Sequence, residues 1–263
     1  MHVILLLFLL GVPGPIDRGQ AAFERGDYKA ALSAFEDAVK AEPKNGGAVY
    51  LRGLAKERLG DRPGAEADYR KAIAVDAKLP QPHNNLGALL AERGVFAEAR
   101  AALEVATRLD PRYAEAWFNL GLAFDGDKKP REAAAAYRKA RDLSPKDPDT
   151  RINLGAALAR AGDKKAAAAE LADVARLAPR DPLVQLNLGL VHAELGDLDE
   201  AASAYRRAAA LKPDYKKAWL SLGKVELRRG KCTEARAAFD KLLALSPRLD
   251  KKDVDAQLAR CKR

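Results

Sequence analysis

At 263 residues the chain is long enough for one large domain or two ordinary ones. Hydrophobic residues make up 48% of it, but aromatics only 6%, and there is a single Met; this profile favours helices packed through small residues and excludes a collagen, a mucin-like chain and a wholly disordered chain. The formal charge of +9 is uneven: Lys212 to Arg263 hold 15 basic and 7 acidic residues against 31 and 30 before them, so a uniformly basic coat for nucleic acid is excluded and an acidic partner is expected to favour the C-terminal end.

In chain order, the first feature is the apolar run Val3 to Leu10, broken by Gly11, Pro13, Gly14 and Pro15. It is too short to cross a hydrocarbon core, which needs about 20 residues, and its length suits the h-region of a secretory signal. No Lys or Arg precedes it and no clean small-x-small site follows. Export to a periplasm or the cell exterior is the expectation for residues 1–11; an uncleaved surface anchor or a misplaced start, with residence in the cytoplasm, is the alternative. The short leader and the Ala-, Arg- and Leu-rich usage point to a bacterial source.

From residue 12 onward the chain repeats. Gly recurs every 34 residues at Gly19, Gly53, Gly87, Gly121, Gly155, Gly189 and Gly223. Each is followed by an Ala (Ala31, Ala65, Ala99, Ala133, Ala167, Ala201, Ala235), then by a large side chain (Phe35, Tyr69, Leu103, Tyr137, Leu171, Tyr205, Phe239), and near the end of the repeat by a Pro, with Ala77 in its place in the second. Trp117, Leu120 and Phe124 fall on one face of a helix, as do Ala133, Tyr137, Ala140 and Leu143. Each repeat is therefore predicted to be two helices. A Gly between them (Gly26, Gly60, Gly94, Gly162, Gly196, Gly230) closes the first in a left-handed conformation, with Lys128 at that place in the fourth repeat. Gly and Ala let the paired backbones approach, the large side chain fills the wedge beside them, and Pro stops the second helix.

These residues resemble the tetratricopeptide repeat: helical hairpins, small at the eighth and twentieth positions, aromatic or Leu at the twenty-fourth, Pro at the thirty-second. The resemblance covers 12–249 as seven repeats (12–45, 46–79, 80–113, 114–147, 148–181, 182–215 and 216–249), followed by a capping helix over 250–263. It implies an all-α fold, a right-handed α-solenoid of antiparallel helix pairs forming one domain. It also implies a non-catalytic scaffold or adaptor that binds an extended peptide or helix of another protein on the concave face lined by the first helices. The alternatives are a self-assembling array and an accessory subunit of an envelope complex.

No enzyme is expected. His2, His83 and His192 are far apart, and no phosphate-cradling Gly loop, Cys-x-x-Cys or His-Glu-x-x-His is present. His83 replaces the Trp of other repeats and His192 replaces an aromatic, so both read as packing residues. No metal or cofactor is predicted. Cys232 and Cys261 lie 15 residues before and 14 after Pro247, which puts them level in an antiparallel pair, each on an apolar face. A disulfide is expected if their Cα atoms come within about 7 Å, closing a loop worth roughly 3 kcal/mol; two reduced thiols in the core are the alternative, and they weaken the case for export.

The candidate binding residues are those the core does not use. Asn85, Asn119, Asn153 and Asn187 repeat the phrase Asn-Leu-Gly in four consecutive repeats. In register they form an amide ladder that grips a peptide backbone; the alternative is that hydrogen bonds within the array hold them. Phe118, Leu122, Ile152, Leu186, Leu190 and Leu220 are expected to line the groove around them, or in part to pack against the neighbouring repeat. Lys217, Lys224 and Arg228 are placed to hold an acidic end of the bound segment or else form a solvated charged face. Ser221, where an Arg would be needed, leaves the carboxylate clamp of chaperone-tail adaptors incomplete. The expected partner is thus a protein, with no nucleic acid and no membrane span, bound by a monomer or a weakly self-associating chain.

Overall fold

The computed structural model describes residues 13–246 and 251–259; the apolar run at 3–10, on which the expectation of export rests, and Cys261 lie outside them. Fifteen helices follow one another among the described residues: α1 (Pro15–Glu24), α2 (Tyr28–Ala41), α3 (Gly46–Arg58), α4 (Arg62–Val75), α5 (Pro80–Glu92), α6 (Phe96–Leu109), α7 (Ala114–Gly126), α8 (Pro130–Leu143), α9 (Pro148–Arg160), α10 (Lys164–Leu177), α11 (Pro182–Leu195), α12 (Leu198–Leu211), α13 (Lys216–Arg228), α14 (Cys232–Leu245) and α15 (Lys251–Leu258). No strand occurs among those residues. Contacts gather into two compact blocks, up to Ala123 and from Phe124 onward, where the sequence predicts one domain; in each block a helix packs on its hairpin partner and on the next hairpin, as a repeat array requires.

The residues that start and stop the helices are local. The inter-helix glycines adopt φ between +73° and +92°, and Lys128 holds the same conformation at φ +58°, where a side chain costs about 1 kcal/mol or more. Directly after such a glycine, the carboxylates of Asp27, Asp61 and Asp163 accept from the backbone N–H three residues on, at 3.1, 3.0 and 3.2 Å, and so cap the second helix. Pro stands in the first turn of α1, α4, α5, α8, α9 and α11, where its missing N–H is harmless.

Within each hairpin the two helices close on one contact. A Cβ added to Gly19, Gly53, Gly155, Gly189 or Gly223 would stand 2.3–2.9 Å from the side chain of Phe35, Tyr69, Leu171, Tyr205 or Phe239. Those five side chains, with Leu103 and Tyr137, are at most 1% exposed, and such burial stabilises by about 1.5–3 kcal/mol per side chain. The capping helix uses the same core: Val254 and Leu258 are buried against Ala235, Phe239 and Leu242. Leu143, expected on an apolar face, is instead 37% exposed at the last turn of α8.

A second contact, which hydropathy does not reveal, ties successive hairpins together. The fourth residue of a repeat reaches back to the carbonyl six positions earlier: the indole N–H of Trp117 to Pro111 (3.0 Å), that of Trp219 to Pro213 (2.8 Å), and Arg151 Nε to Pro145 (3.0 Å). His83 Nε2 meets the Ala77 carbonyl at 3.2 Å, and because that oxygen only accepts, Nε2 carries the proton. Burial lowers the pKa of this imidazole, against the opposing pull of the Ala77 carbonyl.

Gly87→Val should lower the urea unfolding midpoint by the equivalent of about 1–3 kcal/mol, because the new Cβ would lie 2.4 Å from Leu103 Cγ and 3.0 Å from the Ala99 carbonyl oxygen, and backbone cannot yield. Lys128→Gly should raise the midpoint by about 1 kcal/mol by relieving the left-handed side chain.

Candidate functional site

The first helices carry the candidate binding residues, and the buried tyrosines reach them from below. In the amino-terminal block the Tyr69 hydroxyl on α4 donates to Glu57 on α3 and accepts from Asn85 Nδ2 on α5 at 3.4 Å. In the carboxy-terminal block the Tyr205 hydroxyl on α12 lies by Ser221 on α13, and Tyr137 donates to Asp125 Oδ2 at 3.3 Å. Ser221 occupies the sixth position of its repeat, as Asn85 does. Tyr69 thus supplies a partner for the sixth residue of the next repeat, whereas Tyr137 turns to Asp125 of its own repeat.

The four asparagines meet different fates. Asn85 is engaged by Tyr69 and also accepts from Asn84 Nδ2 at 3.1 Å, while Asn119 donates to Asn84 Oδ1 at 3.0 Å. Asn153 turns onto its own helix and donates to the Asp149 carbonyl at 2.9 Å. Asn187 makes no hydrogen bond among the described residues, and lines a hollow between α9 and α11. Asn84, which sequence reasoning missed, is fully buried at the centre of the amino-terminal network, where its amide also faces the Tyr113 hydroxyl at 3.2 Å and Glu115 at 3.3 Å. The available signal was its place: a fifth position otherwise filled by Tyr50, Phe118, Ile152, Leu186 and Leu220.

The apolar candidates divide, and two need correcting. Ile152 (6% exposed) and Leu186 (4%) are buried, the first against Val174 and Val184 and the second in the core around Tyr205, because stacking consecutive hairpins takes up the side of the first helix on which they stand. They do not line an open groove. Phe118 and Leu220 are half-buried, whereas Leu122 and Leu190 are 39% and 42% exposed. Lys217 and Lys224 are exposed; so is Arg228, whose guanidinium donates to the Ala193 carbonyl at 2.8 Å. Cys232 is half-buried at the start of α14. His192 faces Asp197 Oδ2 at 3.2 Å. Among the described residues no group of three or more His, Cys, Asp or Glu is arranged to hold a metal, and no helix is long and apolar enough to cross a membrane.

Stacked helical hairpins with a small-residue crossing and a polar-apolar first-helix face define a helical-repeat interaction module. The tetratricopeptide repeat profile matches residues 16–80, 84–148, 126–182, 152–216 and 186–250, and the chain belongs to that family; it is an α-solenoid protein-interaction scaffold. Solved structures agree on the fold. The C-terminal part of a tetratricopeptide repeat protein from Cytophaga hutchinsonii superposes with TM-score 0.72 at 18% identity, over 91% of this chain and 98% of that one. PilF of Pseudomonas aeruginosa gives 0.67 at 23%, over 81% and 96%. YrrB, described as having an unusual peptide-binding site, gives 0.62 at 23%, over 74% and 97%.

The inner tyrosines give the site a titration signature. Burial first, then the carboxylates of Glu115 and Glu57, push the Tyr50 phenol up to about 12, against about 10 in an unfolded chain. Its contribution to stability is therefore complete below about pH 10 and is lost as pH rises towards 12. Unfolding free energy followed from pH 9 to 12 should fall, and Tyr50→Phe should remove part of that fall.

Proposed function

We propose that the chain is a non-catalytic adaptor whose first helices hold an extended segment or helix of another protein. The observation that carries this reading is the exposure of Leu122 and Leu190 beside Asn119 and Asn187 on the first helices: apolar surface left in water next to amides is the mixture a peptide backbone and its side chains use. The likeness of fold to YrrB, a protein with a peptide-binding site, supports it. In the carboxy-terminal block Asn153 adds an amide and Leu220 a half-buried apolar contact, as Phe118 does in the amino-terminal block, while Asn85 serves chiefly to brace Tyr69. Lys217, Lys224 and Arg228 are the counter-charges for an acidic end of the segment.

The site of action is proposed to be outside the cytosol, through the run at 3–10, with a Cys232–Cys261 disulfide securing the C-terminal cap. Alkylation followed by mass analysis tests the bond: neither thiol should label in the native or the urea-unfolded protein until a reductant is added, and labelling on unfolding alone rules the bond out.

A display library of random peptides panned on the full chain should enrich binders whose affinity falls about tenfold or more in an Asn153→Ala, Asn187→Ala variant, the loss expected for two hydrogen bonds to a bound backbone. Circular dichroism and melting temperature should be unchanged. Binders that hold the variant as tightly as the native chain would remove the amides from the site.

A further inference from the structure

The hollow between α9 and α11 has a structural cause. Its walls are Ala156, Ala159 and Arg160 of α9, Leu171 of α10, and Asn187, Leu190, Val191 and Glu194 of α11, enclosing about 200 Å³. One repeat later the equivalent of Leu171 is Tyr205, whose ring lies under α13 and whose hydroxyl meets Ser221, the equivalent of Asn187. In the amino-terminal block, Tyr69 and Asn85 make the same pair. Leu171 fills the crossing at Gly155, with Cγ 2.7 Å from where a Cβ would stand, but it stops short of the space that a phenol ring occupies elsewhere. The small Ala156 and Ala159 on the facing helix do not refill it. Two consequences coincide at one place: an apolar recess, and an amide at its rim left without a partner.

Charge does not fill the recess either. Arg160 is turned to Asp125 at 2.6 Å, and Glu194 to Lys164 at 3.5 Å, so both rim charges are already neutralised by other residues. Apart from Arg160, Asn187 and Glu194 at the rim, the lining is alanine, leucine and valine. A recess lined chiefly by such side chains suits an apolar group, and a closed cavity of about 150 Å³ with similar apolar walls accepts benzene.

Taking the proposed peptide-binding reading as its basis, we infer that this hollow is a specificity pocket for one aromatic side chain of the partner segment, tyrosine or phenylalanine. The ring enters against exposed Leu190 at the mouth and presses towards Leu171 and Val191, which are sealed from water in the free chain, supplying from outside the ring that Tyr69 and Tyr205 supply from within. The Asn187 amide, free of internal bonds, takes the backbone next to it, or the hydroxyl when the ring is a tyrosine. Exposed Leu190 stands at the mouth and is covered on binding, which accounts for an apolar side chain left in water there.

The test is a nuclear magnetic resonance titration of the full chain with four capped pentapeptides, alanine throughout except for Phe, Tyr, Leu or Ala at the centre, following the Asn187 side-chain amide. Phe and Tyr peptides should shift it saturably and bind about tenfold or more tighter than the all-alanine peptide, the gain expected for burying one aromatic ring. Leu171→Tyr is the decisive variant, since it rebuilds the internal pair present in other repeats: it should keep or raise the melting temperature and abolish the aromatic preference. Equal shifts from Phe and Ala peptides, or an unaltered preference in Leu171→Tyr, would overturn the pocket while leaving backbone capture by the first helices standing. No shift with any peptide would overturn the pocket as well, and the display experiment would then decide the wider reading by itself.

Discussion

The fold depends on one steric relation, repeated from hairpin to hairpin: a glycine on the first helix against a large side chain on the second. Because no Cβ fits between them, the helix backbones come close enough for Phe35, Tyr69, Leu171, Tyr205 and Phe239 to be sealed from water. Everything else hangs on that distance. It sets how far the next hairpin sits, how deep a tyrosine hydroxyl reaches beneath the following first helix, and which first-helix side chains remain outside the core.

Around this apolar spine, charge is placed between helices. Asp68 accepts from both Arg52 and Lys56 of the preceding helix, Glu170 is shared by Arg141 and Arg151, and the fully buried Glu226 is held by Arg206 and Arg229. A carboxylate buried to that degree persists only when cations and hydrogen bonds meet it, and removing one partner would cost more than the pair contributes. The clusters join neighbouring helices, α3 to α4, α8 and α9 to α10, and α12 to α13.

Much of this was legible in the sequence, because the signals are local and periodic. The 34-residue spacing of glycine, the left-handed turns including Lys128, and the buried large residue all follow from backbone sterics within one hairpin. The odd-numbered helices from α3 to α13 begin 34 residues apart, at 46, 80, 114, 148, 182 and 216. What the sequence could not separate was the use of adjacent residues on one helix face. Ile152 and Leu186 sit one residue before Asn153 and Asn187, yet the turn of about 100° between neighbours on a helix carries them into the contact with the next hairpin. Equally, four identical Asn-Leu-Gly phrases hide four environments: Asn85 meets Tyr69 of the repeat before it, Asn119 the polar intruder Asn84, Asn153 its own helix, and Asn187 no partner among the described residues. Composition along a helix shows which side chains are available; only the stacking shows which are free.

The backward bond from the fourth residue of a repeat has a mechanical meaning. Indole, guanidinium and imidazole serve alike at Trp117, Trp219, Arg151 and His83, so the position asks for a donor of sufficient reach, and that donor bolts the connecting turn to the helix it leads into. Val49 has no donor to offer, and Gln185 is buried with its Oε1 unpartnered and makes no such bond. Under tension a bolted seam resists peeling until the bolt shears, whereas an unbolted one yields through apolar contact alone. Among the described turns between repeats of the carboxy-terminal block, the one from α10 into α11 alone has no such bolt, and it leads into the helix that carries Asn187 and the hollow.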